Sequence, residues 1–410
     1  MKKEKSSAWL IAAGVIILFA LIQGSMYTFG ILMPDMVADT GYTETQILVM
    51  STFNTGGTFV MSMFVGRVIP KTKAKGAFLI GGILIPLHFV LYYLSKSLLT
   101  IYIAAAISGI GAALIMTAAP VLLSNWFVAK RSTVIAIAFG SMNIGGAIFM
   151  YMAGQTVASM GWRNVELLNA GIVLVLSLLI SIFVLREKPE DVGQKPYGYD
   201  QVPETVEAEV DTSKGLTVKE AFKSPSFYIL FTGFFAVVTV AYCYTSLVPT
   251  YLTGIGMSIE SASAYVSGYS IVAIVASVIA GMVADKWGEK VYLIYCGVAA
   301  LAGMFLLTCG TMAGIVIAIS VLLTGLGDPI ASSSASLVTG KCFGMKSYEK
   351  LLGYMQGAMT FGATVMLLVV SALSESIGMG MALKAAGLFT ILGVVLILVA
   401  MRLSPARKDS

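Results

Sequence analysis

Twelve apolar runs divide the chain: 9–33, 46–69, 76–95, 99–124, 132–157 and 166–185, then, after a polar break, 227–252, 262–284, 289–311, 312–339, 350–374 and 379–403. About 20 apolar residues wound as a helix cross a hydrocarbon core of roughly 30 Å. Lipid offers no partner to a backbone N–H or C=O, so a spanning segment must satisfy its own backbone, as a helix does. A chain that is 58% hydrophobic and 11% charged, with mean hydropathy +0.89, is far outside soluble usage. The expected fold class is therefore an all-α membrane protein with twelve transmembrane helices. The basic start and the run from Trp9 to Met33 mimic a signal peptide, but the run is too long, lacks a small-residue cleavage site and leads into further spans. Cys243, Cys296, Cys309 and Cys342 lie in or beside apolar runs without a CxxC spacing or a nearby His, and read as small core residues rather than disulfide or metal ligands.

Charge fixes a topology. With the N-terminus inside, only Lys96, Arg163 and Lys384 of the 26 basic residues fall outside, which is the positive-inside bias. Both termini are expected in the cytoplasm of a multi-pass protein of the cell membrane. The formal charge of +5 then needs no nucleic-acid partner. Residues 186–224, rich in Glu, Asp, Pro and Gly, bury too little to fold compactly and read as a cytoplasmic linker. It joins an N-terminal six-helix bundle, 1–185, to a C-terminal one, 225–410. Within it, 216–223 is a candidate short interfacial helix before Ser224-Pro225.

The two bundles are repeats. Ile107–Phe127 laid over Leu323–Phe343, 216 residues later, aligns Gly109 with Gly325, Gly111 with Gly327 and Phe127 with Phe343, but sets Ala112 on Asp328. Gly66-Arg-Val-Ile-Pro70-Lys71-Thr-Lys73-Ala-Lys75 and Gly281-Met-Val-Ala-Asp285-Lys286-Trp-Gly288-Glu-Lys290 are 215 apart, and Gly140-x4-Gly145 and Gly357-x4-Gly362 are 217 apart. Near-equal offsets in three places imply two pseudo-symmetric six-helix bundles with a ligand held near the midplane between them.

The loop Gly281-x3-Asp285-Lys286-x-Gly288-x-Lys290 resembles the signature of the major facilitator superfamily between the second and third helices of a half. The first copy departs from it, with Pro70 where the acid belongs. Asn125-Trp126-Phe127-x3-Arg131, Gly161-Trp162-Arg163 and Lys219-Glu-Ala-Phe-Lys-Ser-Pro225-Ser-Phe227 are similar to the oxalate/formate antiporter and monocarboxylate transporter group of that superfamily. The resemblance implies a secondary carrier working by alternating access. Drug-proton antiporters of the superfamily usually carry Gly-Pro in span five, where this chain reads Gly140-Ser-Met-Asn143-Ile-Gly145-Gly146. Carboxylate carriers of the resembled group commonly place Arg or Lys in span eight or eleven. Here span eight has none, and span eleven has Gln356 and Thr360.

Ionisable residues are costly in a membrane and by default functional. Asp328 and His88 are the two that this reading places inside spans. Asp328 lies thirteen residues from Lys341, about 20 Å along a helix and so near mid-bilayer, and Pro329 removes a backbone donor beside it. Three roles compete for it: proton or sodium coupling, substrate binding and a buried structural acid. His88, after Pro86, reads as a structural histidine. The resemblance directs spans one, two, four, five, seven, eight, ten and eleven to the cavity. Their candidate substrate contacts are Gln23, Tyr27, Asn54, Asn143, Tyr242, Tyr244, Tyr269, Asp328 and Gln356, with helix packing as the alternative for each. Tyr242 and Tyr244 stand out as two phenols shortly before Pro249, suited to an organic acid or an amphipathic ring system. Arg131, Gly281, Asp285, Lys286 and Lys290, at the cytoplasmic helix ends, are the gating candidates.

The leading expectation is a carrier of a small, monocarboxylate-like organic acid, coupled to protons or to a counter-substrate. It needs no cofactor, metal or obligate protein partner. A carrier of a bulkier amphipathic or neutral compound, efflux included, is the second. A non-transporting membrane sensor is a third, weakened by the 39-residue central loop and short tails, which leave no output domain. Enzyme chemistry is disfavoured: there is no Gly-rich Lys loop for phosphates, no metal-ligand cluster and no His placed beside a Ser or Cys nucleophile.

Overall fold

Helices account for every regular element among the described residues, which in this computed structural model are 2–199, 215–309 and 314–404. The chain runs α1 Lys2–Gly24, a 3-10 turn Ser25–Thr28, α2 Phe29–Thr40, α3 Glu44–Tyr93, α4 Leu98–Trp126, α5 Arg131–Met160 and α6 Trp162–Leu179, which ends in a π-turn Ile180–Val184. It continues with α7 Val218–Lys223, α8 Pro225–Val237, α9 Thr239–Gly254, α10 Ile259–Trp287, α11 Glu289–Leu307, α12 Gly314–Gly327, α13 Pro329–Phe343, α14 Tyr348–Ile377 and α15 Met379–Arg402. Among the described residues, eleven stretches are long and apolar enough to cross a membrane. The longest, the 48 residues Gln46–Tyr93, holds two of the expected spans. They part at Lys73 (φ 65°, ψ 166°), and the second restarts with its Ala74 and Lys75 N–H groups donating to the Glu187 carboxylate at 2.9 and 3.0 Å. The protein is a multi-pass membrane protein.

Several boundaries follow from local chemistry. The first span runs on past Met33 to Thr40, where Gly41 takes a left-handed turn (φ 71°) and its N–H closes on the Val37 carbonyl at 3.1 Å. At the start of α3, Thr43 and Gln46 form a reciprocal capping box at 2.9 and 3.2 Å. Thr217 and Glu220 form another at α7, the short helix expected there. Its Thr217 N–H and hydroxyl hold the Glu220 carboxyl below the usual range.

The helices gather into two compact units, one made of Met1–Arg131 with Ser141–Val202 and the other of Ser132–Gly140 with Pro203–Ser410. In the first, α3 packs along α4, with α6 against α3 and α1 against α4. In the second, α11 packs on α12 and α15 on α8, while α14 lies against both α8 and α15. Of the linker, 200–214 lies outside the described residues, but 186–199 is anchored to the first unit. Trp126 donates its indole N–H to the Arg186 carbonyl at 2.9 Å, Asn125 its amide to that of Glu187 at 3.3 Å, and Tyr197 pairs its backbone with Trp126 and Val128. The Asn125-Trp126-Phe127 motif is thus a structural clasp. Gly161-Trp162-Arg163 is another: Trp162 and Arg163 both bind Asp39, at 3.0 and 3.2 Å.

The repeat is visible as the same close approach made twice. A Cβ on Gly145 would stand 1.9 Å from the Ala20 carbonyl oxygen of α1, and one on Gly362 2.1 Å from that of Phe235 in α8. Gly109 meets the Asn54 carbonyl of α3 at 2.0 Å, and its partner Gly325 meets that of Tyr269 in α10 at 3.2 Å and Val272 at 2.7 Å. Gly111 and Gly327 lie against Ile85 of α3 and the Cys296 carbonyl of α11, at 3.0 and 2.7 Å. Small residues let helix backbones touch where lipid provides no hydrophobic drive for association.

Candidate functional site

Asp328 sits at the junction of α12 and α13, near the middle of the 30-residue apolar stretch Gly314–Phe343. Pro329 has no N–H to give the Gly325 carbonyl, which instead accepts the Asp328 N–H at 3.2 Å. From α10 the Tyr269 hydroxyl donates to Asp328 Oδ1 at 2.5 Å. The Tyr269 ring stacks on that of Tyr244 in α9, with centroids 4.3 Å apart and planes 18° from parallel. From α11, Tyr292 donates to the Pro329 carbonyl at 2.7 Å and lies 3.1 Å from the Ser333 hydroxyl. An acid, two stacked phenols and a third phenol on the proline thus converge at one helix break.

Three buried polar side-chain atoms of this unit have no hydrogen-bond partner among the described residues: the Tyr244 hydroxyl, the Tyr295 hydroxyl of α11 and the Gln356 Nε2 of α14. Leaving such groups unpaired costs about 1–3 kcal/mol each. Tyr242 and Tyr244 lie two residues apart on α9, about 200° of rotation on a helix: Tyr244 is fully buried and stacked on Tyr269, while Tyr242 is more open and has Asp328 as its charged neighbour.

The first unit holds its four candidates differently. Gln23 is buried and donates to the Ala112 carbonyl at 3.3 Å. The Tyr27 hydroxyl reaches Asn143 Oδ1 at 3.5 Å across the bare surface of Gly146, bringing these two together. Asn54 is spoken for by the Ser108 hydroxyl at 2.7 Å and the Ala105 carbonyl at 3.4 Å.

Among the gating candidates, Asp285 has the most specific geometry. Its Oδ1 accepts the Ser132 N–H and its Oδ2 the Thr133 N–H, both at 2.9 Å, with the Thr133 hydroxyl at 2.5 Å. These N–H groups belong to the first turn of α5, where no intrahelical partner exists and a negative charge opposes the helix dipole. Gly281, one turn earlier on α10, lets the backbones meet: a Cβ there would lie 2.6 Å from the Thr133 Cα. Arg131 opens α5 beside this cap. Lys286 rests over the Trp287 ring at 4.7 Å, and Lys290 is exposed. Glu289 pairs with Lys341 at 3.2 Å, a contact that sequence spacing alone does not reveal.

Glu166 is a buried acid that the sequence pattern concealed. Span six does not begin at residue 166; α6 starts at Trp162, so Glu166 lies one turn inside it, with 1% of its surface exposed. Glu166 thus lies, like Asp328 and His88, inside a membrane-crossing stretch. Among the described residues no three His, Cys, Asp or Glu form a metal cluster.

Sequence comparison finds relatives at low identity. An MFS transporter, asaE, of Aspergillus flavus is 24% identical over 271 residues, covering 66% of this chain and 56% of the relative. Monocarboxylate transporter 14 of Homo sapiens is 21% identical over 192 residues, covering 46% of this chain and 38% of the relative. The match thus spans about half, or less, of these two relatives' lengths. In fold, the proton:xylose symporter XylE, solved with 6-bromo-6-deoxy-D-glucose, superposes with a TM-score of 0.77 over 97% of this chain and 96% of that one, at 14% identity. The family model of the Major Facilitator Superfamily matches residues 15–307 and again 254–410, so that both copies of the repeat are covered, and the chain belongs to that superfamily.

Proposed function

We propose that the protein is a secondary carrier that moves a small organic acid across the cell membrane by alternating access, driven by protons or by exchange. The observation that carries this reading is Asp328, a mid-span acid bonded to Tyr269 beside the orphaned Tyr244 hydroxyl. The Asp328 Oδ2 accepts no hydrogen bond among the described residues, which leaves it open to a proton or a ligand hydroxyl. Phenol and amide donors suit a carboxyl group carried in its neutral form. The family supports the carrier role, and the similarity to a monocarboxylate transporter favours the substrate class. On this reading 1–185 and 225–410 are the rocking bundles, 186–224 tethers them, and both termini are cytoplasmic.

The test is uptake into proteoliposomes of labelled monocarboxylates, dicarboxylates and aromatic acids, with and without a pH gradient. Saturable, gradient-stimulated uptake of one class is expected. Saturable uptake of none would overturn the organic-acid reading. A second reading, a carrier of amphipathic or neutral compounds, is favoured by the Tyr244–Tyr269 stack and by the lack of a basic residue within 262–284 of α10. Uptake of neutral aromatics in the same panel would select it.

Gating falls to Asp285 in this proposal: its cap on α5 must break for the basic-rich end to open. Losing such a cap costs about 0.5–2 kcal/mol, and ~1.4 kcal/mol is tenfold in an equilibrium. Asp285→Ala is therefore expected to lower uptake roughly tenfold at unchanged membrane content, with Asp285→Asn intermediate. Unchanged uptake in both would remove Asp285 from the gate.

A further inference from the structure

The first unit contains a cavity lined by both apolar and polar side chains. Its volume is about 220 Å³, and its polar lining includes Thr28 of the 3-10 turn, Ser51, Asn54, His88 and Tyr92 of α3, Ser108 of α4 and Glu166 of α6. At about 30 Å³ of liquid volume per molecule, it has room for several waters. His88, Tyr92, Ser108 and Glu166 are each at most 3% exposed. Glu166 has one hydrogen bond, from the Asn169 amide at 3.4 Å, and no ion pair among the described residues. Asn169 is fully buried, and its Oδ1 has no partner among them. A carboxylate so placed, with no ion-pair partner among the described residues, is costly, and a bound proton removes the charge.

His88 supplies the complement. Its Nδ1 lies 2.6 Å from the Ile85 carbonyl oxygen. A carbonyl only accepts, so Nδ1 carries the hydrogen and the neutral ring offers Nε2 as a base. The ring is clamped between Phe89 and Tyr92, with centroids 4.0 and 4.9 Å away.

We propose that Glu166 and His88 form a proton-binding site inside the first unit, separate from Asp328 and exchanging one proton through the cavity. Glu166 holds the proton as a neutral carboxyl and exchanges it with the cavity, while the His88 ring stays neutral, with its Nδ1–H on the Ile85 carbonyl and Nε2 as an acceptor. The site's other titratable and charged neighbours are few. Tyr92 faces Glu166 from α3. Asp39 of α2 and Arg163 of α6 pair with each other at 3.0 Å at the adjoining helix end. The 3-10 turn and α4 bring only uncharged groups, Thr28 and Ser108, to the cavity. The site is independent of the substrate and of the role of Asp328.

Infrared pH titration of the purified full chain in liposomes tests it. A protonated-carboxyl band is expected to survive in Asp328→Asn and to disappear in Glu166→Gln. In His88→Gln its midpoint should move by about one pH unit, the size of coupling between interacting sites. A Glu166→Gln protein that fails to fold is replaced by Glu166→Asp, in which the band must persist at a displaced position. The site is refuted if no band depends on Glu166, if that band does not titrate, or if His88→Gln leaves its midpoint in place.

Discussion

Replacing Gly145 or Gly362 by alanine is expected to cost about 3 kcal/mol of stability each, with most of the extracted protein running as aggregate in size-exclusion chromatography. The new methyl would lie 1.9 Å from the Ala20 oxygen in one case and 2.1 Å from the Phe235 oxygen in the other. A flexible side chain could yield at such a distance. A carbonyl held in its own helix ladder cannot, so the two helices must separate. Overpacking costs about 1–3 kcal/mol where side chains can adjust, and here the obstacle is backbone. Gly154, on the same helix as Gly145, has nothing within 4 Å of the place a methyl would occupy and provides the control. Gly154→Ala should behave as wild type, or gain slightly from helix propensity. Equal stability of Gly145→Ala and Gly154→Ala would mean that α1 and α5 do not touch as described.

These close approaches explain why the fold was legible in the sequence. A glycine that must admit a neighbouring helix at close range has no ready substitute, and Gly109, Gly111 and Gly145 reappear in the second half as Gly325, Gly327 and Gly362. Span count and repeat followed from patterns with a single physical cause. The site was less legible because polar side chains in an apolar helix do not announce which way they face. Tyr242 and Tyr244 are near neighbours in the sequence yet differ in burial, one partly open and the other fully buried. Glu166 is hidden when span six is begun one turn late, which sets its carboxylate at the membrane edge. The signal is nonetheless present: Trp162, Val165, Glu166, Asn169, Val173 and Ser177 recur at helical spacing and all are buried along one face of α6. Asp328 is conspicuous because it breaks the repeat, standing where Ala112 stands in the first copy. Its phenolic partner Tyr269 is 59 residues away, and nothing in the sequence singles it out from the other cavity candidates.

Asp328→Asn is expected to reduce pH-gradient-driven uptake at least tenfold, a loss of about 1.4 kcal/mol or more in driving the cycle, while leaving substrate exchange near wild type. The asparagine keeps the size of the side chain and an oxygen for the Tyr269 hydroxyl, so packing at the α12–α13 break is preserved. It cannot gain or lose a proton, and that is the property under test. The three roles open to Asp328 give different pairs of outcomes. A coupling acid loses gradient-driven uptake and keeps exchange. A substrate ligand loses both, with weakened apparent affinity. A structural acid keeps both but melts earlier. Tyr269→Phe sharpens the distinction, since it removes the only donor to Oδ1 among the described residues and leaves the stack on Tyr244 in place. If the phenol acts through Asp328, the double variant should be no worse than Asp328→Asn alone, an interaction that a double-mutant cycle reads directly. Full uptake by Asp328→Asn with an unchanged pH profile would exclude Asp328 from coupling, and the proton pathway would then have to be sought elsewhere in the bundle.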